Sequence, residues 1–226
     1  MVEQGLLKDY IPFWNQISEN EQQQIESQIL KRKVNKGALV HNGESDCLGL
    51  IFVITGSLRA YTMSEMGKAI TLYRLLEHDM CLFAASCVMR NIDFEIVIEA
   101  REDTELLVLP VKIYHQLMHT SLPIAHYTNE LMASRFSDVM WVMDQVLNKS
   151  FDVRLATFLL EEQAINESSI LYMTHEEIAQ NLGSAREVVT RMLKYFHTEE
   201  LVNLARGKIE IVDVKALEKI VNQHIH

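Results

Sequence analysis

Arg186, Glu187 and Arg191 are the residues of this chain whose types and spacing best suit a chemical task. A guanidinium can donate bidentately to O6 and N7 of guanine, and a carboxylate can accept from N4 of cytosine. Adjacent Arg and Glu side chains on one helix can therefore read neighbouring base pairs. Arg186 and Arg191 are five residues apart and do not stand above one another, so they suit two different bases, or a base and a phosphate. The same charges on an ordinary surface helix would only pair with each other and with water. The elements that carry them decide between these readings. Thr174 with Glu177, and Ser184 with Glu187, both fit the S/T-x-x-E capping box, in which each side chain satisfies an unpaired backbone N–H of the other residue. Ile178, Ala179, Leu182, Val188, Met192 and Leu193 supply an apolar face. Two short helices bent around Gly183 are predicted, a helix-turn-helix with Arg186, Glu187 and Arg191 near the start of its second helix, where a DNA reader holds its base-contacting side chains.

Downstream, apolar residues alternate on both sides of Arg206-Gly207-Lys208 within Glu200–Asp213. This pattern predicts a β-hairpin with glycine at its tip, the wing of a winged helix, with Arg206 and Lys208 placed to meet a phosphate backbone. A short last helix is expected over Ala216–Val221. The formal net charge is −10, which by itself argues against a nucleic-acid partner. Between Ser184 and Lys208, however, Arg186, Arg191, Lys194, Arg206 and Lys208 outnumber Glu187, Glu199 and Glu200. A locally basic face on an acidic body predicts weak non-specific affinity and a steep dependence on salt.

With 226 residues, of which 48% are hydrophobic, the chain can bury a sizeable core. From Lys31 to Pro110, short apolar runs alternate with turn signals at Lys36-Gly37, Asn42-Gly43-Glu44, Thr55-Gly56-Ser57 and Glu65-Met66-Gly67-Lys68. Strands are predicted over 48–54, 57–63, 69–75, 94–100 and 105–109, an antiparallel sandwich or jelly roll. A helical lead-in is predicted over about 11–30, with Ser18 and Glu21 as a further capping box. A long helix is expected from near Pro123. Along it Met132, Phe136, Val139, Met143 and Val146 fall at alternating spacings of four and three, as in a coiled-coil seam, with Arg135, Ser137 and Asp138 as polar flanks. Such a helix, about 24 residues and about 36 Å long, could pack on its own sandwich. Two-fold reading of DNA half-sites favours a homodimer seam instead.

The fold class expected is thus α+β: an antiparallel β-roll over 1–120, a long dimerisation helix over 121–148 and a winged helix-turn-helix over 149–226. No run of about 20 apolar residues is present, so no membrane span is expected. Met1–Lys8 lacks a signal peptide's basic start and long apolar stretch. Cys47, Cys81 and Cys87 form no C-x-x-C pair and no zinc-ligand spacing. A cytoplasmic location is the simple expectation. The chain carries no H-E-x-x-H, G-x-S-x-G, P-loop or dinucleotide fingerprint, so an enzyme is not expected.

The order β-roll, long helix, winged helix, together with Gly183-Ser-Ala-Arg-Glu-Val-Val-Thr-Arg191, resembles the Crp/Fnr superfamily of bacterial transcription regulators over nearly the whole chain. The resemblance implies base reading by Arg186, Glu187 and Arg191, and phosphate contacts at Thr174, Lys194 and Lys208; Ser184 and Arg206 complete the expected backbone set. Gly37, Gly43, Gly56 and Gly67 match glycines of the family's roll. Glu176 departs from the pattern, since many relatives carry a neutral or donor residue there. The implied partners are double-stranded DNA, a second copy of the chain and RNA polymerase.

The resemblance also implies an effector that acts on the roll. The cyclic-nucleotide binders use a Gly- and Glu-bearing phosphate cassette followed by Arg-Ser or Arg-Thr. Here His78–Glu95 has no Gly-Glu, and acidic or aromatic residues stand near Asp93–Glu95, where carboxylates would repel a phosphate. A non-cyclic-nucleotide effector is expected. The family's iron–sulfur branch needs several cysteines, most near the N-terminus, and none precedes Cys47 here. Asp79-Met80-Cys81 with Ser86-Cys87 is similar to the carbon-monoxide-sensing relative, but its haem-ligating histidine falls near Ala84. His78 or Cys81 would have to substitute, and haem is not expected. Cys81 and Cys87 read either as a thiol switch or as small buried hydrophobes. The rival reading of the whole chain is a ligand, redox or haem sensor acting through protein contacts with a weakened DNA head.

Overall fold

The computed structural model describes residues 4–42, 48–65, 67–82, 84 and 95–222. Gly43, Cys47, Met66, Cys87, Asp93 and Phe94, with most of the segment weighed as an effector cassette, lie outside the described residues. The chain forms two compact units, one of residues 1–63 with 72–139 and the other of 64–71 with 140–226.

The first unit begins with α1 (Gln4–Tyr10), a 3-10 turn (Trp14–Gln16) and α2 (Glu19–Gln28). α1 thus lies ahead of the helical lead-in expected over 11–30, and the lead-in itself is two pieces, the 3-10 turn and α2. Only α2 starts where the Ser18/Glu21 capping box places it, with Ser18 N donating to Glu21 Oε2 at 2.7 Å. The strands are β1 (Leu30–Val34), β2 (Leu39–Asn42), β3 (Gly49–Thr55), β4 (Leu58–Met63), β5 (Ala69–Leu75), β6 (Met80–Cys81), β7 (Val97–Ala100) and β8 (Thr104–Pro110). They form two antiparallel sheets, ordered β1-β8-β3-β6 and β2-β7-β4-β5. Four of these strands coincide closely with predicted ones, and β7 takes up the second half of the strand predicted over 94–100. β1, β2 and β6 were not predicted: β1 is largely exposed and carries Lys31-Arg32-Lys33, and β6 has only two residues.

β3 reads Gly-Leu-Ile-Phe-Val-Ile-Thr without polar alternation because both of its faces are covered. Ile51 and Val53 point into the sandwich with Leu58, Ala60, Ile98, Leu106 and Val108. Leu50, Phe52 and Ile54 face a second core made with Leu7, Phe13, Ile25, Tyr114 and Leu117 from the helices. Gly56 turns between β3 and β4 at φ +83°, where a Cβ would strike the backbone of Asp103 and Thr104. Tyr114 and Leu117 belong to α3 (Val111–Thr120), which follows β8 directly and was not predicted.

α4 runs from Leu122 to Asn148. Of the expected seam, Met132 is partly buried against the helical core and Val139 is half-buried. Phe136 (67%), Met143 (46%) and Val146 (39%) are exposed, as are Met140, Trp141 and Leu147 beside them. Arg135, one of the expected polar flanks, is half-buried. Its guanidinium lies 4.6 Å from the Tyr73 ring centroid and donates to Asp138 at 2.9 Å. A planar cation gains more over an aromatic face than in water alone.

In the second unit, α5 (Phe151–Asn166), α6 (His175–Leu182), α7 (Arg186–Thr198) and α8 (Val214–Asn222) surround a three-stranded antiparallel sheet. Its order is β10 (Val202–Ala205), β11 (Lys208–Ile211), β9 (Ile170–Leu171). Leu155, Leu159, Ile178, Val189, Leu193, Phe196, Ile209 and Leu217 form its core. No helix among the described residues is long and apolar enough to cross a membrane.

Candidate nucleic-acid interface

Thr174 starts α6 as the sequence predicts. The Glu177 backbone N–H donates to its hydroxyl at 3.1 Å, and the Glu177 carboxylate accepts from the Thr174 N–H at 2.7 Å and from its hydroxyl at 3.0 Å. Gly183 ends the helix at φ +61°, a left-handed conformation open to glycine at no steric cost. The Arg154 guanidinium, on α5, donates to the Leu182 carbonyl, so a cation closes the negative end of α6. Burial lowers the pKa of Arg154 from its ordinary value.

The second capping box does not form. α7 begins at Arg186 with Ala185 as its N-cap and no side-chain cap. The turn after Gly183 thus uses one residue more than the sequence pattern implies, which leaves Ser184 outside the cap position and Glu187 one place short of the third helical position. The glutamate is exposed. Val189, Leu193 and Phe196 are the fully buried residues of α7, whereas Val188, expected inside, is half-buried.

With that face inward, the opposite one presents Arg186, Glu187, Thr190, Arg191 and Lys194 around one open concavity of about 500 Å³. Arg186, Thr190 and Lys194 follow one another at spacings of four, and Glu187 and Arg191 form a parallel row. Among the described residues, no ion pair ties Arg186, Arg191 or Lys194 to a carboxylate. Of the surface-helix alternative, in which these charges pair with one another and with water, the mutual pairing is absent among the described residues. The electrostatics of the groove register on His175, at the first turn of α6: burial, then the positive charges of Arg186 and Lys194, lower the imidazole pKa.

Sequence reasoning missed two members of this site. Thr190 lines the groove, and its hydroxyl lies 2.9 Å from His175 Nδ1. The four-residue spacing from Arg186 and Lys194 was the available signal for Thr190. Ser184 is half-buried at the turn. In the wing, β10 and β11 pair from Val202↔Ile211 to Ala205↔Lys208, with Arg206 and Gly207 at the tip as predicted. Arg206 is exposed and Lys208 half-buried.

The other sequence candidates belong to the first unit. Cys81 is fully buried in the sandwich core. His78, weighed as a haem ligand, stacks on Tyr10 with ring centroids 4.4 Å apart. His115 and His119 on α3, a pair that the sequence reading did not offer, stand one turn apart with centroids at 4.4 Å, a spacing suited to metal. Among the described residues, no third His, Cys, Asp or Glu joins them or any other pair in a metal-binding group.

The Crp-like helix-turn-helix domain family matches residues 153–220. A solved structure from Eubacterium rectale, described as a transcriptional regulator of the Crp/Fnr family, is 52% identical, with a TM-score of 0.92 over 94% of this chain and 99% of its own. The cyclic AMP receptor protein of Thermus thermophilus is 28% identical over 171 residues, 76% of this chain and 78% of the relative. The fumarate and nitrate reduction regulatory protein of Vibrio cholerae is 24% identical over 213 residues, 90% of this chain and 82% of the relative. An exposed, cation-lined recognition helix on a winged head and this breadth of likeness lead to one conclusion: the chain belongs to the Crp/Fnr family of transcription regulators.

Proposed function

We propose that the protein reads a palindromic DNA site as a homodimer, with one α7 helix in each of two successive major grooves. The observation that carries this reading is the exposed set of Arg186, Glu187, Arg191 and Lys194, with half-buried Thr190 between them, on a helix whose other face is locked into a core. Arg186 and Glu187 read base edges, and Arg191 reads a base or a nearby phosphate. Thr174, Ser184, Lys194, Arg206 and Lys208 meet the backbone and set the register. The functional division is a sensor roll over 1–120, a dimerisation helix over 121–148 and a DNA-binding head over 149–226. Exposed Phe136, Met143 and Val146 on α4 support the dimer, because a row of large apolar side chains in water is stabilised by covering it. RNA polymerase is the further partner such a regulator would contact.

The Thermus relative is named for cyclic AMP. In this chain His78–Glu95 has no Gly-Glu, and acidic or aromatic residues stand near Asp93–Glu95, where the Arg of an Arg-Ser or Arg-Thr pair is expected. We therefore assign the roll an effector other than a cyclic nucleotide. Calorimetric titration with cyclic AMP and cyclic GMP is expected to show no heat of binding, and micromolar binding of either would overturn that assignment.

Selection of binding sites from random duplex DNA with the purified, effector-free protein tests the main reading. Enrichment of a two-fold palindrome, with half-site centres about one helical turn apart or a multiple of it, is the expected result. Enrichment of an asymmetric site would remove the dimeric reader. Failure to enrich any site, both alone and in cell extract, would remove DNA reading itself.

A further inference from the structure

His175 is a histidine placed against the DNA-reading groove rather than in it. Its Nδ1 lies 2.9 Å from Oγ1 of Thr190, so the start of α6 is tied directly to the groove-lining face of α7. A hydroxyl both donates and accepts, so this bond holds with the ring neutral or protonated. With Nδ1 engaged, Nε2 is the nitrogen that can donate to an incoming oxygen. The ring is only half-buried at the first turn of α6, where backbone N–H groups also favour an anion.

We propose that His175 is a proton-linked phosphate contact and a positioning residue for the recognition helix, so that DNA binding takes up a proton at this site. The inference rests on the DNA-reading function proposed above.

The charges around the ring give the sign. From α7, Arg186 and Lys194 oppose its protonation, and burial does so more strongly. Arg191 and Glu187 line the same groove, while Glu176 and Glu177 follow His175 on its own helix. Glu177 is committed to the Thr174 cap. A phosphate brought to the groove offsets the Arg186 and Lys194 charges and adds a negative one, so the imidazole pKa rises in the complex. Affinity then increases as pH falls through the pKa of the complex, and levels off below the lower pKa of the free protein.

The test uses the full chain and a mixed-sequence duplex of about 30 base pairs at low salt, with the dissociation constant measured at pH 8 and pH 6. One proton taken up changes affinity by at most about tenfold per pH unit. The wild type should gain about fivefold or more over His175→Gln across this interval. Calorimetry at pH 7 in two buffers of different ionisation enthalpy counts the protons taken up by the wild type, a readout that does not depend on the variant folding. Thr190→Val, which keeps the imidazole and removes its partner, should bind more weakly at both pH values while retaining pH dependence. Equal pH dependence in wild type and His175→Gln, or no proton uptake by the wild type, would overturn the inference and leave the DNA reader intact. If the wild type binds no duplex at all, the DNA reading fails, and this inference with it.

Discussion

With Ala185 rather than Ser184 at the start of α7, the Glu187 carboxylate holds no cap and lies exposed on the groove. Its removal should therefore leave the fold unchanged and alter reading alone. Glu187→Ala is expected to relax preference at one symmetric pair of operator positions by about 1–3 kcal/mol per position. Repeating the site selection with the variant, alongside its melting temperature, checks both halves of that statement. Equal loss on every sequence, or a lowered melting temperature, would return Glu187 to a structural role. Arg186, Glu187, Arg191 and Lys194 were legible in the sequence because charged residues on one side of an amphipathic helix declare their exposure. Thr190 offered only its four-residue spacing from Arg186 and Lys194, and His175 offered nothing local, since their hydrogen bond joins positions 15 apart.

Among the elements, the two caps of the helix-turn-helix look equivalent as letters and differ in space. Thr174 holds a complete box with Glu177, whereas Ser184 makes no cap for α7. Thr174→Ala should cost the head about 0.5–2 kcal/mol, and Ser184→Ala should change its stability little. Urea unfolding of the two variants, followed by circular dichroism, compares them directly. A larger loss for Ser184→Ala would mean that the turn, rather than the cap, limits the head. The β-roll strands 49–55, 58–63 and 69–75 could be read from apolar runs between glycine turns. β1 could not, because its charges are satisfied across the sheet: Lys31 and Lys33 reach the Glu105 carboxylate at 2.7 and 2.5 Å. Those hydrogen-bonded cations draw the Glu105 pKa down to about 2. A charged edge strand paired with a partner some 70 positions away has no local signature.

At the scale of the molecule, the stripe on α4 sets the expected assembly. Phe136→Glu places a charge in the middle of an apolar seam and, beside a second copy, a like charge opposite it. Analytical ultracentrifugation should show wild-type dimer and variant monomer, with affinity for a selected palindrome falling at least about tenfold as the two-site geometry is lost. A dimeric variant would assign the exposed stripe to another partner. The net charge of −10 acts at this scale too, leaving attraction to DNA to the local cations of the head and making it fade steeply with salt.

The sequence by itself determined the order of roll, long helix and winged head, the helix face that carries Arg186, Glu187 and Arg191, and the apolar row along α4. Each follows from short-range periodicity and from caps and turns spanning a few residues. Only the tertiary structure decided where α7 begins, that Arg135 lies over Tyr73, that β1 closes on β8, and that His175 bonds Thr190. Those outcomes depend on which distant groups meet once the cores are packed, and the spacing of letters carries no record of that.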